Sequence, residues 1–502
     1  MVARVHASAP LGLVGIPVEI ECDLTSGLPG ITVVGLGAKA VDEARERIKS
    51  ALANSGLKLP RKRITINLSP ADLPKDGASY DLAMAIAVLA ASQQITTDLS
   101  RYSFAGELAL DGRLHPVPGV IIHVQSARQR GHEIIFVPAA NARQAALVEG
   151  IKVIGIASLK ELYQHLSGLV ELPAQALTRL KGLSRAPEVD IAEVKGQVLA
   201  KRALEIAAAG HHNLLMTGPP GTGKTMLAKA LNGILPPLER SDIITLTHLH
   251  SLASQHHSTG VITHRPFRTP HHTSSPIALI GGGKEALPGE ISLAHQGVLF
   301  LDELPEYPRA VLESLRQPME DGAVSISRAN RRVQYPADFM LIATQNPCPC
   351  GYYGDQQRDC TCSPYQVAKY QKRVSGPLLD RIDLIVNVER IASQELFGRV
   401  NKEPESSAGV RQRVVKARQL QQARGQSNST LSVRELKSAA HLSDPARTLL
   451  AQAVDRLDLS PRSAMRALKV ARTIADLSAS RYVEDSHISE ALQYRLRQSV
   501  LV

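Results

Sequence analysis

The chain has no tryptophan, and aromatic residues make up 3% of its 502 positions. Base stacking on aromatic platforms is therefore a poor candidate for the main way it would hold a nucleic acid. It also lacks a long apolar run. The longest, residues 82–91, is too short to span a bilayer, and Met1-Val2-Ala3-Arg4-Val5-His6-Ala7 has no signal-peptide core. These absences predict a soluble, cytoplasmic protein with no membrane partner. Cysteine is scarce at five residues, and in a cytoplasmic setting such residues are not expected to form disulfides. Acidic residues are outnumbered, 47 Asp and Glu against 58 Lys and Arg, for a formal charge of +11. That balance favours a polyanionic partner without identifying one, since excess charge is often only a matter of solubility. What the chain has in quantity is hydrophobic residues, 44% of the total and ample for buried cores, and the length of 502 residues suggests roughly three domains of ordinary size.

The most informative stretch is Gly218-Pro219-Pro220-Gly221-Thr222-Gly223-Lys224-Thr225, which follows the apolar run Asn213-Leu214-Leu215-Met216 and opens a helical pattern over residues 226–231. Strand, glycine-rich loop and helix in that order make a nucleoside triphosphate site. The glycines let backbone N–H groups wrap a polyphosphate, Lys224 reaches the β- and γ-phosphates, and the Thr225 hydroxyl ligates Mg²⁺. A glycine-rich packing turn would not need the Lys-Thr pair. A second apolar run, Val298-Leu299-Phe300-Leu301, ends in Asp302-Glu303. Buried strands often end in Asp, but beside a phosphate loop Asp302 belongs to the Mg²⁺ shell and Glu303 polarises the attacking water. A third run, Phe339-Met340-Leu341-Ile342-Ala343-Thr344, leads to Asn346, placed to hydrogen bond the γ-phosphate or the water.

Four of the five cysteines fall in Cys348-Pro349-Cys350 and Cys360-Thr361-Cys362. Two close pairs bracketing a short loop present four sulfurs tetrahedrally, which suits Zn²⁺ better than reduced, buried thiols. Four thiolates leave no open coordination position, so the role expected is to pin an insertion beside the nucleoside triphosphate site. Cys22 reads as an ordinary core residue. The histidines at 248, 250, 256, 257, 264, 271, 272 and 295 have no compact spacing and are assigned to hydrogen bonding and packing. Residues 322–328 and 333–335 alternate like two strands of a hairpin, with Arg328, Asn330, Arg331 and Arg332 at or near its tip.

Along the chain, residues 1–170 alternate strand-like runs (64–68, 133–137) with helix-like ones (40–55, 81–92) and read as a compact α/β or α+β domain. Residues 171–188 read as a linker and 189–390 as an α/β nucleotide-binding core. A second linker at 391–430, which includes a polar, Gln/Arg-rich, helix-like stretch ending near Thr430, is poorly equipped to bury a core. Residues 431–502 read as short amphipathic helices, with Asp444-Pro445 and Ser460-Pro461 as cap and first-turn signals.

Together with Gly376-Pro377-Leu378-Leu379-Asp380-Arg381-Ile382-Asp383, these motifs resemble those of the AAA+ ATPases of the Mg-chelatase-like group, and within it the ComM/YifB type associated with natural transformation. The resemblance covers nearly the whole chain. Its most specific block is Arg265-Pro266-Phe267-Arg268-Thr269-Pro270-His271-His272-Thr273, followed by Gly281-Gly282-Gly283 and residues 288–295. It implies an α/β fold with a Lon protease/ribosomal S5-like amino-terminal domain, an AAA+ core with helix-2 and pre-sensor-1 insertions, and a carboxyl-terminal helical lid. It further implies a homo-oligomeric ring, a hexamer, using ATP and Mg²⁺ to move on DNA and promote branch migration in homologous recombination. By the same resemblance the 265–273 block faces the ring pore. Arg381 is the arginine finger, and Arg462 the sensor-2 arginine, with Arg466 a near competitor on the same helix. A guanidinium serves either role better than an ammonium because it spreads over phosphate oxygens bidentately. The hairpin resembles one that lines the pore, where Arg328, Arg331 and Arg332 would grip DNA phosphates. Leu73-Pro74-Lys75-Asp76-Gly77-Ala78-Ser79 resembles the serine segment of Lon, yet the matching segment Val117-Pro118-Gly119-Val120-Ile121-Ile122-His123 lacks the lysine that would activate Ser79. That domain is therefore read as non-proteolytic, which disfavours an ATP-dependent protease. The standing alternative is a metal-chelatase motor subunit that remodels a protein.

Overall fold

The computed structural model describes residues 2–35, 38–70, 75, 77–180, 188–253, 259–283, 286–328, 331–391 and 404–495. Leu73, Pro74, Asp76, His256, His257 and Asn330 lie outside these residues, as do 181–187 and 392–403 of the two expected linkers and 496–502 of the expected lid.

Two compact units are present. One comprises Met1–Leu183, Glu239–Thr263 and Ser327–Tyr335, and the other Ser184–Leu238, His264–Ile326 and Pro336–Val502.

In the first unit a seven-stranded mixed sheet runs in the order Gly30–Val34, Arg63–Ser69, Val14–Thr25, Ala3–Leu11, Tyr102–Phe104, Ile134–Pro138, Lys152–Ile156. Strict alternation sets its register. Cys22 pairs with Ile66 and Ile20 with Leu68, so four apolar side chains share one buried face. The helix Asp81–Ala91 is apolar all round and is buried nearly all round. Cys22 is fully buried, and burial, with Asp23 nearby, pushes its thiol up to about 12, as befits a core residue. The helix Arg240–Ala253 joins this unit through specific bonds: the Gly119 amide donates to Ser251 Oγ at 3.0 Å and Arg240 Nη2 donates to the Leu147 carbonyl at 2.8 Å. Residues 327–335, the far part of the hairpin Ala323–Arg328 and Arg331–Pro336, belong to the same unit, with Val333 and Tyr335 buried.

The second unit is built on a five-stranded, wholly parallel sheet in the order Phe267–Arg268, Val298–Leu301, Met340–Gln345, Leu214–Thr217, Leu384–Asn387. Its three central strands are apolar at almost every position, as expected for strands covered on both faces. Residues 407–422 correct the expectation of a linker that buries little. They form the helix Ser407–Gln422, whose Val410, Val414 and Ala417 enter the same core as the sheet and the helices Val198–Gly210 and Lys224–Ile234. The spacing of those three residues makes a narrow apolar stripe that the surrounding Arg and Gln residues mask.

Helices Val433–Ala440, Asp444–Arg456, Pro461–Leu477 and Asp485–Gln493 follow. Ser460 caps the third as expected. The second is capped one residue earlier than read, by Ser443, whose Oγ accepts from the Ala446 amide at 3.3 Å. A serine cap of this kind contributes about 1 kcal/mol. The last two helices pack around Arg472, 1% exposed, which donates to Asp476 Oδ1 at 3.0 Å and to the carbonyls of Ser480 and Arg481 at 2.6 and 2.9 Å. A buried charge of this sort is tolerated because nearly every donor has an acceptor.

Candidate nucleotide site and four-cysteine centre

Parallel neighbours end at the same edge of a sheet, so three strands deliver their following residues to one place: the phosphate loop after Leu214–Thr217, Asp302 and Glu303 after Val298–Leu301, and Asn346 after Met340–Gln345. Gly221 and Gly223 take left-handed φ of 80° and 87°, and the helix Lys224–Ile234 starts directly behind them. Lys224 Nζ donates to the carbonyls of Gly218 and Pro219 at 2.7 and 2.8 Å and to Asn346 Oδ1 at 3.2 Å. Burial pulls the Lys224 ammonium down to about 8, and the charges of Asp302 and Glu303 work against that fall. Thr225 Oγ1 donates to Asp302 Oδ2 at 3.2 Å. Both acidic residues are exposed, as groups that meet a ligand must be.

Thr344 was not assigned a role from the sequence. Its hydroxyl donates to Asp302 Oδ1 and accepts from the Glu303 amide at 3.0 Å, fixing both acids with one side chain. Glu303 sits at φ 54°, in the left-handed region, a conformation that costs a non-glycine residue about 1–3 kcal/mol and concentrates at functional sites. The only sequence signal was a lone hydroxyl closing an apolar strand.

Arg381 is buried. Its Nη1 donates to the Pro377 carbonyl and its Nη2 lies beside Glu320 Oε1, both at 2.6 Å. Arg462, exposed, donates to the same Glu320 oxygen. The two arginines hold the Glu320 carboxyl below its ordinary range. Arg466 points elsewhere, to Asp383 Oδ1 at 2.7 Å. Burial works to raise the Asp383 carboxyl, but His212, Arg466 and Arg495 outweigh it and hold it well below the carboxylate range. Arg466 is thus committed to a buried acid, whereas Arg462 shares a surface carboxylate with Arg381.

The four cysteines gather as a cluster, with every pair of Sγ atoms within 4.8 Å. Cys348 lies 3.3 Å from Cys350 and 3.6 Å from Cys360, and Cys350 lies 3.5 Å from Cys360. These sulfurs are far too widely spaced for disulfides and close to the separation of about 3.8 Å that a tetrahedral Zn²⁺ with 2.3 Å bonds imposes. The Tyr353 amide donates to Cys348 Sγ at 3.3 Å and the Cys350 amide to Cys362 Sγ at 3.4 Å, contacts that stabilise thiolates. The Tyr352 amide leads in drawing Cys350 down to about 5. The Cys362 amide favours the Cys360 thiolate, but desolvation and the Cys350 and Cys348 sulfurs outweigh it and push Cys360 up to about 12. Sulfurs so crowded ionise together only with a cation among them. The residues present therefore fit a zinc ion.

In the 265–273 block, Arg265 Nε donates to the Pro236 carbonyl at 2.7 Å, and Arg268 grips Glu290 bidentately at 2.6 and 2.7 Å. His271 and His272 lie ring to ring at 4.1 Å. His248 is buried, and burial, then His123, pushes it down to about 3, so it is neutral. Of the hairpin arginines, Arg332 is exposed, and Arg328 and Arg331 stand at the facing ends of the two strands. In the serine segment Lys75 is buried and donates to the Pro70 carbonyl, while His123 bonds Ser8 Oγ at 2.8 Å.

A parallel sheet that brings a phosphate loop, a paired Asp-Glu and a polar residue from the intervening strand to one edge, backed by a helical carboxyl-terminal region, defines a P-loop protein of the AAA+ class. The family described as magnesium chelatase, subunit ChlI, matches residues 190–396, with related descriptions matching residues 20–141 and, for the ChlI carboxyl-terminal part, 404–495. Competence protein ComM of Haemophilus influenzae is 44% identical over 499 residues, 98% of this chain and 97% of that one. The uncharacterized protein YifB of Escherichia coli is 43% identical over 503 residues, 99% and 98% of the two chains. Lon protease 2 of Bacillus subtilis is 31% identical over 132 residues, 26% of this chain and 23% of that protein. The chain belongs to the ComM/YifB family of Mg-chelatase-like AAA+ proteins.

Proposed function

We propose that this protein is an ATP-hydrolysing motor that assembles as a homo-oligomeric, hexameric ring in the cytoplasm and moves along DNA, promoting branch migration during recombination of DNA taken up in natural transformation. The observation that carries this reading is the convergence of Lys224, Thr225, Asp302 and Asn346 on one phosphate loop, in a chain similar end to end to a competence protein.

The residue roles follow from their chemistry. The loop amides of residues 218–225 and Lys224 bind the triphosphate of the substrate. Thr225 and Asp302 would hold Mg²⁺, which supplies charge neutralisation to the phosphates when bound. Glu303 orients the attacking water and takes its proton, and Asn346 positions that water or the γ-phosphate. Arg381 serves the nucleotide of a neighbouring subunit, and Arg462, which shares Glu320 with it, is the sensor-2 arginine of the lid; in either role a guanidinium stabilises charge that develops as the phosphoryl group leaves. Cys348, Cys350, Cys360 and Cys362 hold a structural Zn²⁺. Arg328, Arg331 and Arg332 contribute a basic collar for DNA backbone. Residues 1–170 form a non-proteolytic module, 189–390 the ATPase core and 431–502 its lid.

A second reading, a motor subunit that remodels a protein partner, is favoured by a 26% identity over 239 residues to the magnesium-chelatase 67 kDa subunit of Heliobacterium mobile, covering 41% of this chain. ATP hydrolysis measured with and without DNA, together with the movement of a branched DNA substrate, separates the two.

A further inference from the structure

The four-cysteine loop touches the phosphate loop. Gly351, between the two cysteine pairs, has a left-handed φ of 87°, and a Cβ built on it would lie 2.6 Å from Cδ and 3.2 Å from Cγ of Pro220. Its amide donates to the Cys348 carbonyl at 3.0 Å, so the cysteine turn itself sets where Gly351 stands. The next residue, Tyr352, has two guanidinium groups over its ring, Arg358 at 5.3 Å and Arg390 at 5.4 Å from the centroid, and Arg358 Nη1 also donates to its hydroxyl at 3.0 Å. Arg390 is paired in turn with Asp355 of the same loop at 2.9 Å. Tyr352, Arg358 and Arg390 line one side of a pocket of about 550 Å³ whose other side is Pro220, Gly221 and Thr222, the crown of the phosphate loop.

We propose that the four-cysteine loop, clamped by its metal, is a brace for the phosphate loop: Gly351 seats against Pro220 and holds the crown in the shape that accepts nucleotide, so that metal occupancy sets nucleotide affinity. This rests on residues 218–225 being the ATP site. A crown of glycines and prolines must be held in one conformation before its amides can converge on phosphate. A loop ordered in advance binds more tightly than one that must be ordered on binding. These cation–π contacts are weak at an exposed site, whereas a metal joins all four sulfurs, so the metal dominates the shape of the loop. Gly351 is a positioning residue under this proposal, since it acts through Pro220 and touches no reacting atom.

The test uses the full chain and two glycine substitutions. Gly354 lies in the same loop with φ 76°, and a Cβ there meets nothing within 4 Å. G354A therefore imposes the same left-handed strain as G351A without pressing on Pro220. Metal content by elemental analysis, thermal unfolding, the Kd of a fluorescent ATP analogue, and KM and kcat for ATP are measured for each. G351A is expected to keep its zinc, to weaken nucleotide binding and raise KM by about tenfold or more, and to leave kcat at saturating ATP within about twofold; G354A should match the wild type within about twofold throughout. Removing the metal from wild-type protein with a chelator should weaken binding by a similar factor, and restoring zinc should reverse it. Unchanged affinity in G351A, equal losses in G351A and G354A, or undiminished affinity in folded, metal-free protein would each overturn the brace. Wild-type protein that binds no ATP would instead overturn the reading of residues 218–225, and the brace with it.

Discussion

Lys224 and Lys75 are both lysines beside a glycine-containing loop, and their Nζ atoms keep different company. Lys224 reaches two carbonyls of its own loop and Asn346, in the field of Asp302 and Glu303. Lys75 donates to the Pro70 carbonyl, and the Ser79 that follows it leads into the buried helix Asp81–Ala91. There, Asp81 pairs with Arg47 at 2.6 Å, and His123, from the separate 117–123 segment, with Ser8. A motif becomes a site when other segments bring it partners. The parallel sheet of the second unit does this by ending three strands at one edge, whereas in the first unit Lys75, Asp81 and His123 are taken up by the Pro70 carbonyl, Arg47 and Ser8.

The largest effects should fall on one side of this comparison. K224A is expected to lose at least about 100-fold in nucleotide affinity, and E303Q to bind ATP normally while hydrolysing it at least about 100-fold more slowly. S79A should leave both properties within about twofold of wild type. A comparable loss in S79A would break the contrast, and near-normal turnover by E303Q would remove that residue from its role.

Next in size is the arginine pair. R381A should bind ATP yet hydrolyse it about 10²–10³-fold more slowly, the usual result of withdrawing a charge that meets the transition state. Because Arg381 is proposed to act across a subunit boundary, mixing R381A with K224A protein should restore part of the rate. Absence of recovery in well-mixed rings would assign Arg381 to its own subunit's structure.

A smaller effect is expected at the hairpin. Replacing Arg328, Arg331 and Arg332 together by Ala should weaken DNA binding regardless of sequence and flatten its dependence on log salt by about 2–3, one counterion per lost phosphate contact. Unchanged affinity and salt slope would make the hairpin tip a solvated loop.

The subtlest expectation concerns pH. With its pKa drawn to about 8, Lys224 is charged below that pH and neutral above it, and phosphate binding requires the charged form. A ligand that favours the ammonium raises its pKa, so nucleotide affinity should hold up to about pH 8 and then fall by at most about tenfold per pH unit. Titration of Kd between neutral pH and about 9.5 checks this; a flat profile would show that the charge of Lys224 contributes little.

Much of the candidate nucleotide site was legible because it is written in contiguous words. Residues 218–225 carry their own strand and helix, and Asp302-Glu303 closes an apolar run. The strands at 64–68 and 133–137 and the helix at 81–92 were legible for the same reason, since period and apolarity are local properties. Thr344, Glu320 and Arg472 were not legible, because each acts through partners remote in sequence or through its own burial: Thr344 on Asp302, Glu320 on Arg381 and Arg462, Arg472 among carbonyls of a turn. The burial of the helix Ser407–Gln422 was misread because its mean polarity hid a stripe of three apolar residues, a pattern that only the surfaces facing it make decisive.

The central claim, that the nucleotide site drives movement on DNA, is tested most directly by steady-state ATP hydrolysis of the full chain at low salt, with and without a branched DNA, beside E303Q as the blank. The account predicts that DNA raises the wild-type rate severalfold and leaves E303Q at background. A wild-type rate that is measurable but identical with and without DNA would contradict it and leave a protein-remodelling ATPase in its place.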